Sequence, residues 1–208
     1  MIKTYKILSL LLSYPNRDVK DFLPEAEKEI QDEKILSEEE IRKVEAFINH
    51  FGEMELLDWQ AEYVQLFDYS RSASLHLFEH IKSDSKDRGQ AMVDLLGFYQ
   101  ENGWQLSVNE LPDYLPAFLE FLSGRSVEVA AKLLADPIHI IARIHKALED
   151  KKNMYRNILS AVISLSEKQP DATITNAIIK NEKPLDLDEE YEEKPVEFGA
   201  NDACINCK

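Results

Sequence analysis

Two histidines and a glutamate that could bind zinc lie within five residues, in the string His76-Leu-Phe-Glu79-His80. This is the H-x-x-E-H order of inverted zinc metalloproteases, in which two histidines four residues apart on a helix bind one ion and the glutamate acts as a base. A catalytic zinc needs a third protein ligand, and none of the three other histidines has a spacing that predicts one. We therefore expect these three side chains to lie at the edge of a core. A small helical zinc metalloenzyme is the alternative hypothesis.

The two cysteines of the chain, Cys204 and Cys207, form a C-x-x-C pair. The pair supplies two of the four ligands of a structural zinc, which a second chain could complete, or it could be a redox pair. No βαβ pattern surrounds it to lower a thiol pKa, so an unstructured terminus is favoured. No Ser/His/Asp or Cys/His arrangement with an organising motif occurs either. We predict no catalytic residue, no metal site and no cofactor.

Composition and charge narrow the class of partner. Six of the 208 residues are glycine, and neither glycine-rich phosphate-binding motif occurs. The 39 acidic residues against 24 Lys and Arg give a formal net charge of −15. Such a surface repels the phosphates of nucleic acids and of anionic lipids. A basic peptide or protein segment is a better match, because opposite charges speed the encounter.

The apolar run at residues 7–12 is too short for the core of a signal peptide, and no small-residue cleavage site follows it. Ile2, Tyr5, Leu8 and Leu12 instead have helical spacing. No stretch approaches the ~20 apolar residues that span a bilayer. We expect a cytoplasmic protein.

Helical periodicity recurs along the chain as far as residue 166, without a convincing period-2 run. Ser37 and Glu40 form a capping box, and Gly52 is expected to end that helix in the left-handed conformation. Gly103 is expected just past the end of another helix, and Pro137 in the first turn of a later one. The prediction is an all-α, single-domain bundle of about eight to ten helices. The expected helices are near 2–13, 18–30, 38–52, 56–67, 85–100, 115–122, 126–135, 137–148 and 153–166.

The composition changes near residue 170. Residues 182–197 hold eight acids against two lysines, with few apolar side chains to bury. We therefore predict a helical domain over residues 1–169 and a flexible acidic tail over residues 170–208. The tail ends in the C-x-x-C pair and contains a short helical piece at 174–180.

One motif links the chain to a known family. The string Glu62-Tyr-Val-Gln-Leu-Phe67 has the order E-x-x-x-L-[YF]. In this motif the chain resembles the TorD/DmsD/NarJ family of molybdoenzyme assembly chaperones. The similarity covers roughly residues 1–166 and favours the NarJ branch. It continues through 68–80, 87–92, 109–116 and 118–121.

A second family motif, Glu-Pro-Asp-His, corresponds to the string Glu110-Leu-Pro-Asp-Tyr114. This chain departs from the motif in two ways. Leu111 is inserted after the glutamate, and Tyr114 occupies the place of the usual histidine.

The resemblance implies a helical chaperone that is not an enzyme. Members bind the N-terminal segment of an apo catalytic subunit and keep it competent for molybdenum cofactor insertion. For the NarJ branch, that client is the α subunit of respiratory nitrate reductase. It is held in the cytoplasm with its β subunit, and the chaperone is not part of the final enzyme. The alternative is a chaperone of another molybdoenzyme, and the cofactor delivery machinery is a possible further partner.

The motif residues suggest a groove for an amphipathic client helix. Aromatic and leucine side chains would line it and acidic side chains would form its rim, although both patterns are also typical of a core and of a solvated surface. Arg71 and Arg88 are expected to bind an acid across a loop. The candidate client-binding residues are Glu62, Tyr63, Leu66, Phe67, Arg71, Phe78, Glu79, His80, Asp113, Tyr114, Leu115 and Glu120.

Overall fold

The computed structural model describes residues 1–81, 85–107 and 110–180. Within these ranges the chain forms ten α-helices and no strand, which confirms the all-α prediction. Residues 181–208, including Cys204 and Cys207, lie outside the described residues. The helices are α1 (Lys3–Leu12), α2 (Arg17–Glu33), α3 (Glu38–Glu53), α4 (Leu56–Tyr63), α5 (Ser85–Glu101), α6 (Leu115–Ser123), α7 (Val127–Leu134), α8 (Ile138–Asp150), α9 (Tyr155–Ser164) and α10 (Ala172–Lys180).

Helix α1 is the buried central element of the bundle. It packs against α2, α6 and α9, and its apolar residues Tyr5, Leu8 and Leu11 have no exposed surface. Its polar side chains are satisfied inside the protein, since the Ser9 hydroxyl donates to the carbonyl of Pro116 at 2.7 Å. A helix that is apolar on most faces and hydrogen-bonded at its few polar positions is typical of a core.

An aromatic cluster joins α4 to α3 and α9. Trp59 of α4 stacks on Phe51 of α3 with ring centroids 5.0 Å apart. Its indole N–H donates to the hydroxyl of Tyr155 at 2.8 Å. Tyr155 also contacts Tyr63 and Phe67, at 5.9 and 4.9 Å between centroids. This cluster positions the C-terminal end of α4 and the residues that follow it.

The chain continues from α4 into a π-helical turn, Val64–Asp68. The backbone N–H of Tyr69 donates to the carbonyl of Val64, five residues earlier, at 3.2 Å. The consecutive side chains of Leu66 and Phe67 in this turn are both buried. The apolar spacing predicted helix here but did not predict this widening.

Gly103 is confirmed as the residue just past a helix end, and Ser37 is confirmed as an N-cap. The Glu40 carboxylate bonds Lys43 and Ser160, so the reciprocal half of the predicted capping box is not formed, and the two other signals were wrong. The Ser37 hydroxyl accepts the Glu40 backbone N–H at 3.3 Å, and Gly103 has φ +73° just past α5. Gly52, however, lies inside α3, and the helix has Met54 as its C-cap. The Lys20 ammonium donates to the carbonyl of Met54. That contact satisfies a free carbonyl at the helix end without a left-handed residue. Pro137 is the N-cap of α8 and not part of its first turn.

Helix α10 lies within the predicted tail and packs against α8. Just before it, the Asp171 backbone N–H donates to Nδ1 of His139 at 3.1 Å, and Thr175 is buried. The expected helical piece at 174–180 is therefore present as part of a packed helix. In the described part of the chain, no helix combines the length and hydropathy needed to cross a bilayer.

We expect a chain ending at Gln169 to be less stable than one ending at Lys180. Loss of α10 exposes part of α8 and should lower the free energy of unfolding by about 1 kcal/mol. The thermal midpoint would then fall by ~2–4 °C, measured by circular dichroism. The full-length chain is the control, and equal midpoints for the two truncated chains would contradict packing of α10 on α8.

Candidate functional site

Asp113 joins two chain segments that are far apart in sequence. Its side chain is fully buried, and Oδ2 accepts the backbone N–H of Phe78 at 3.0 Å. Its Oδ1 lies 3.3 Å from Nδ1 of His76. The Asp113 backbone carbonyl also accepts the N–H of Leu77 at 3.0 Å. Side chain and main chain together fix the segment 76–78.

A short antiparallel contact completes this junction. His76 and Tyr114 form an isolated β-bridge, flanked by a 2.9 Å hydrogen bond from the Leu115 N–H to the carbonyl of Leu75. The rings of His76 and Tyr114 lie 5.2 Å apart and are tilted by 31°. The two segments therefore present neighbouring rings on one surface.

The hydrogen bond to Asp113 raises the pKa of His76 above its usual value, and partial burial opposes the shift. Because Nδ1 is bonded to a carboxylate, it carries the proton. The His76 side chain is 34% exposed, so water weakens this ion pair.

Tyr63 and Tyr114 form the floor of a cleft next to this junction. Their hydroxyl oxygens lie 3.0 Å apart, and the Tyr63 hydroxyl donates to the carbonyl of Leu12 at 3.0 Å. Leu12 is the last residue of α1, so the position of the floor depends on the central helix of the bundle.

We call this depression of about 400 Å³ the tyrosine cleft. Asp68 and Glu110 contribute exposed carboxylates, and no lysine or arginine is among the described residues that line it. The ring of Tyr14 meets Tyr63 edge-on at 5.6 Å. The lining residues are Tyr14, Tyr63, Phe67, Asp68, Leu75, His76, Glu110, Leu111 and Tyr114.

A second depression of about 380 Å³, here called the apolar groove, is lined by the segment 77–81 together with α5, α6, α7 and α8. Asp136 is the one charged residue among those that line it within the described ranges. The lining residues are Leu77, Phe78, Ile81, Leu95, Phe98, Phe118, Leu133, Asp136, Pro137 and Ile140.

The predicted apolar candidates are distributed over three places. Tyr63 and Phe67 line the tyrosine cleft, as does Tyr114. Phe78 lines the apolar groove. Leu66 and Leu115 are buried in the core, with 6% and 0% of their surfaces exposed. The single groove expected from the sequence is therefore two depressions in the structure.

The predicted acidic rim is not assembled. Asp113 is buried, and Glu62 accepts a 2.8 Å hydrogen bond from the side-chain amide of Asn153. Glu120 pairs with Lys6, and Glu79 lies 3.6 Å from the Arg88 guanidinium. These acids stabilise neighbouring elements, and none of them lines the tyrosine cleft.

The expected cross-loop pairing is present for Arg88, which contacts Glu79. Arg71 is exposed at the start of a 3-10 turn, Arg71–Ala73. Burial, and then the charge of Arg71, lower the pKa of the nearby Arg143 to about 10. Arg143 in turn donates to the carbonyl of Ser72 at 2.6 Å, which ties this turn to α8.

The H-x-x-E-H string lacks the helix on which the zinc hypothesis depends. Leu77–His80 is a 3-10 turn, and the two imidazoles bind different groups. His76 contacts Asp113, whereas Nε2 of His80 donates to the carbonyl of Ser74 at 2.8 Å. Burial lowers the pKa of His80 to about 4. No group of three or more potential metal ligands occurs among the residues that the structure describes.

Sequence reasoning missed six of the nine residues that line the cleft, namely Tyr14, Asp68, Leu75, His76, Glu110 and Leu111. Asp68 and Glu110 belong to motif segments that the resemblance covers, so their position in those segments was an available signal. Tyr14 precedes Pro15 and lies just past the helix that the sequence predicts near 2–13. Its approach to Tyr63 is a long-range contact that no local pattern indicates.

Comparison with known proteins places the chain in a family. Residues 34–161 match the family model described as nitrate reductase delta subunit. The chain is 36% identical over 202 residues to the nitrate reductase molybdenum cofactor assembly chaperone NarJ of Escherichia coli K12, covering 95% of this chain and 86% of that protein. This chain belongs to the nitrate reductase delta subunit family.

A second relative is the Escherichia coli K12 protein described as the assembly chaperone NarW, with 34% identity over 197 residues, 93% of this chain and 82% of the relative. A crystal structure of an Archaeoglobus fulgidus protein described as a redox enzyme maturation protein superposes with a TM-score of 0.57 and 22% identity. The match covers 80% of this chain and 93% of that one, and it shows a shared fold.

We expect the junction at Asp113 to be more stable at mildly acidic pH. The folded-state pKa of His76 is raised, so its contribution is fully present below the unfolded pKa of ~6.5 and is lost as the pH rises through the folded value. His76→Gln should therefore lower the free energy of unfolding more at pH 5.5 than at pH 8.5. The difference should be about 0.3–1 kcal/mol, because the group is partly exposed.

Urea denaturation at both pH values measures this difference. His50→Gln is the matched control, because His50 is exposed and has no carboxylate contact among the described residues. An equal loss at both pH values, or a larger loss at pH 8.5, would show that the Asp113–His76 contact is not an ion pair.

Proposed function

We propose that this protein is a NarJ-type molybdenum cofactor assembly chaperone, and that its client is the N-terminal segment of an apo nitrate reductase α subunit. It would hold that segment in the cytoplasm during cofactor insertion and would not remain in the finished enzyme. The observation that carries the proposal is the 36% identity to Escherichia coli NarJ over 95% of this chain.

The tyrosine cleft has the composition expected of a surface that binds an amphipathic, basic segment. Its walls are aromatic and apolar, and its two exposed carboxylates belong to a protein of net charge −15. Aromatic rings supply large contact areas at low entropy cost. Carboxylates at the margin select a basic segment and speed its association.

Apolar contacts should provide most of the affinity. Each well-buried apolar side chain of the client contributes ~1.5–3 kcal/mol. An exposed ion pair contributes only ~0.2–1 kcal/mol. Because ordering a flexible peptide costs ~2–5 kcal/mol, the acids alone would not hold it.

The structure determines which residues can test the proposal. Leu66 and Phe67 are 6% exposed, so their truncation would leave a cavity and weaken the fold itself. Tyr14 and Leu111, at the margin of the cleft, are 48% and 49% exposed. Substitution of these two residues should alter the surface and leave the core intact.

We expect Leu111→Ala or Tyr14→Ala to weaken binding of a synthetic peptide with the N-terminal sequence of a nitrate reductase α subunit. Loss of about half of a buried apolar contact should raise Kd about fivefold. Isothermal titration measures Kd, and circular dichroism confirms that each variant is folded. Leu57→Ala is the matched control, because Leu57 is 78% exposed and lies outside both depressions.

The Ile81→Ala variant distinguishes client binding in the apolar groove from binding in the tyrosine cleft, because Ile81 is 47% exposed and lines only the apolar groove. Weaker binding for Ile81→Ala with normal binding for Leu111→Ala would place the client in the apolar groove. Peptides from the N-termini of other molybdoenzyme catalytic subunits form a second series. Tighter binding of one of these would contradict nitrate reductase as the client.

A further inference from the structure

The hydrogen bonds at the floor of the tyrosine cleft have a defined direction. A tyrosine hydroxyl has one hydrogen and two lone pairs, and a backbone carbonyl can only accept. Tyr63 therefore uses its hydrogen on the Leu12 carbonyl, 3.0 Å away. The 3.0 Å contact between Tyr63 and Tyr114 must then be donated by Tyr114. Its oxygen retains both lone pairs and no hydrogen for any other group.

The charged groups beside this oxygen are acceptors as well. Asp68 and Glu110 line the same cleft, and both raise the pKa of Tyr114 in addition to the larger effect of burial. His76 also lines the cleft, and its Nδ1 proton is directed at Asp113. The floor and its two acids therefore offer negative charge and lone pairs between aromatic rings.

We propose that the tyrosine cleft binds one arginine side chain of the client segment, with its guanidinium against the Tyr114 hydroxyl oxygen and the carboxylates of Asp68 and Glu110. The inference rests on the proposed function and specifies which side chain the cleft selects. A cavity of about 400 Å³ has room for a guanidinium and its stem.

Arginine fits this site better than lysine for three physical reasons. Its guanidinium has five N–H donors and no acceptor, which matches groups that only accept. Its planar face can pack on an exposed aromatic ring such as that of Tyr14, and it is more weakly hydrated than an ammonium group. Its donors can also bind two carboxylates at once.

The test uses the full chain and the α-subunit N-terminal peptide, whose parent affinity is measured first by isothermal titration. Each arginine of the peptide is then replaced in turn by lysine and by the neutral analogue citrulline. At one position, either replacement should raise Kd about tenfold. The same replacements should change Kd by about twofold or less in Asp68→Asn/Glu110→Gln, because the charge that selects arginine is gone.

Two further variants make the test specific. Tyr114→Phe removes the accepting oxygen but leaves the Tyr63 bond to Leu12, so it should fold and lose part of the preference for arginine over lysine. Asp21→Asn/Glu25→Gln is the matched control, since it removes the same charge from exposed positions outside the cleft. It should retain the full preference.

Two results would overturn the inference while the proposed function stands. One is tight binding of a peptide in which every arginine is replaced by lysine. The other is an equal loss on arginine replacement in the wild type and in Asp68→Asn/Glu110→Gln. If the parent peptide does not bind at all, the proposed function fails, and the arginine site fails with it.

Discussion

The position of the tyrosine cleft depends on one buried carboxylate, that of Asp113. Asp113 lies 35 residues from Phe78 along the chain and contacts its backbone N–H and the ring of His76. A buried carboxylate without such contacts would cost several kcal/mol, so the two segments cannot separate without a large penalty. Because Tyr114 follows Asp113 directly, the same contacts set the position of the cleft floor. Hydrogen bonds to the backbone therefore hold these two irregular segments together, as they do in regular secondary structure.

The sequence predicted the helices because their apolar periodicity is local, and it predicted the family because the motif segments are long. It did not predict the partners of the motif residues. Asp113 and His80 were candidates for contact with a client, but Asp113 fixes a backbone and His80 donates to the carbonyl of Ser74. Which polar residue is buried depends on contacts between distant segments, and composition alone does not determine it. The π-helical turn after Tyr63 was also not predicted, and its residue Phe67 contacts the distant ring of Tyr155.

Buried residues of the motif segments and their exposed neighbours have different structural roles. Three motif residues stabilise the fold. Glu62 accepts a hydrogen bond from Asn153, and Asp113 joins its segment to residues 76–78. Leu115 is buried in the core. The residues accessible to a client are mostly their neighbours, such as Leu111 and Asp68, whose substitution would leave the core intact. The family motif therefore combines residues that stabilise the scaffold with residues, such as Phe67 and Tyr114, that line the tyrosine cleft.

Tyrosine at position 114 illustrates how a departure from a family motif can change the chemistry of a surface. A neutral histidine has one ring nitrogen that donates and one that accepts, and it can gain a proton near neutral pH. A tyrosine hydroxyl whose hydrogen is bonded to Tyr63 can only accept, and burial raises its pKa further from neutrality. The direction of that bond is set by the Leu12 carbonyl at the end of α1, the central helix of the bundle. The acceptor character of the Tyr114 oxygen thus depends on a hydrogen bond that ends in the core, and a side chain that binds this oxygen has to supply the donor.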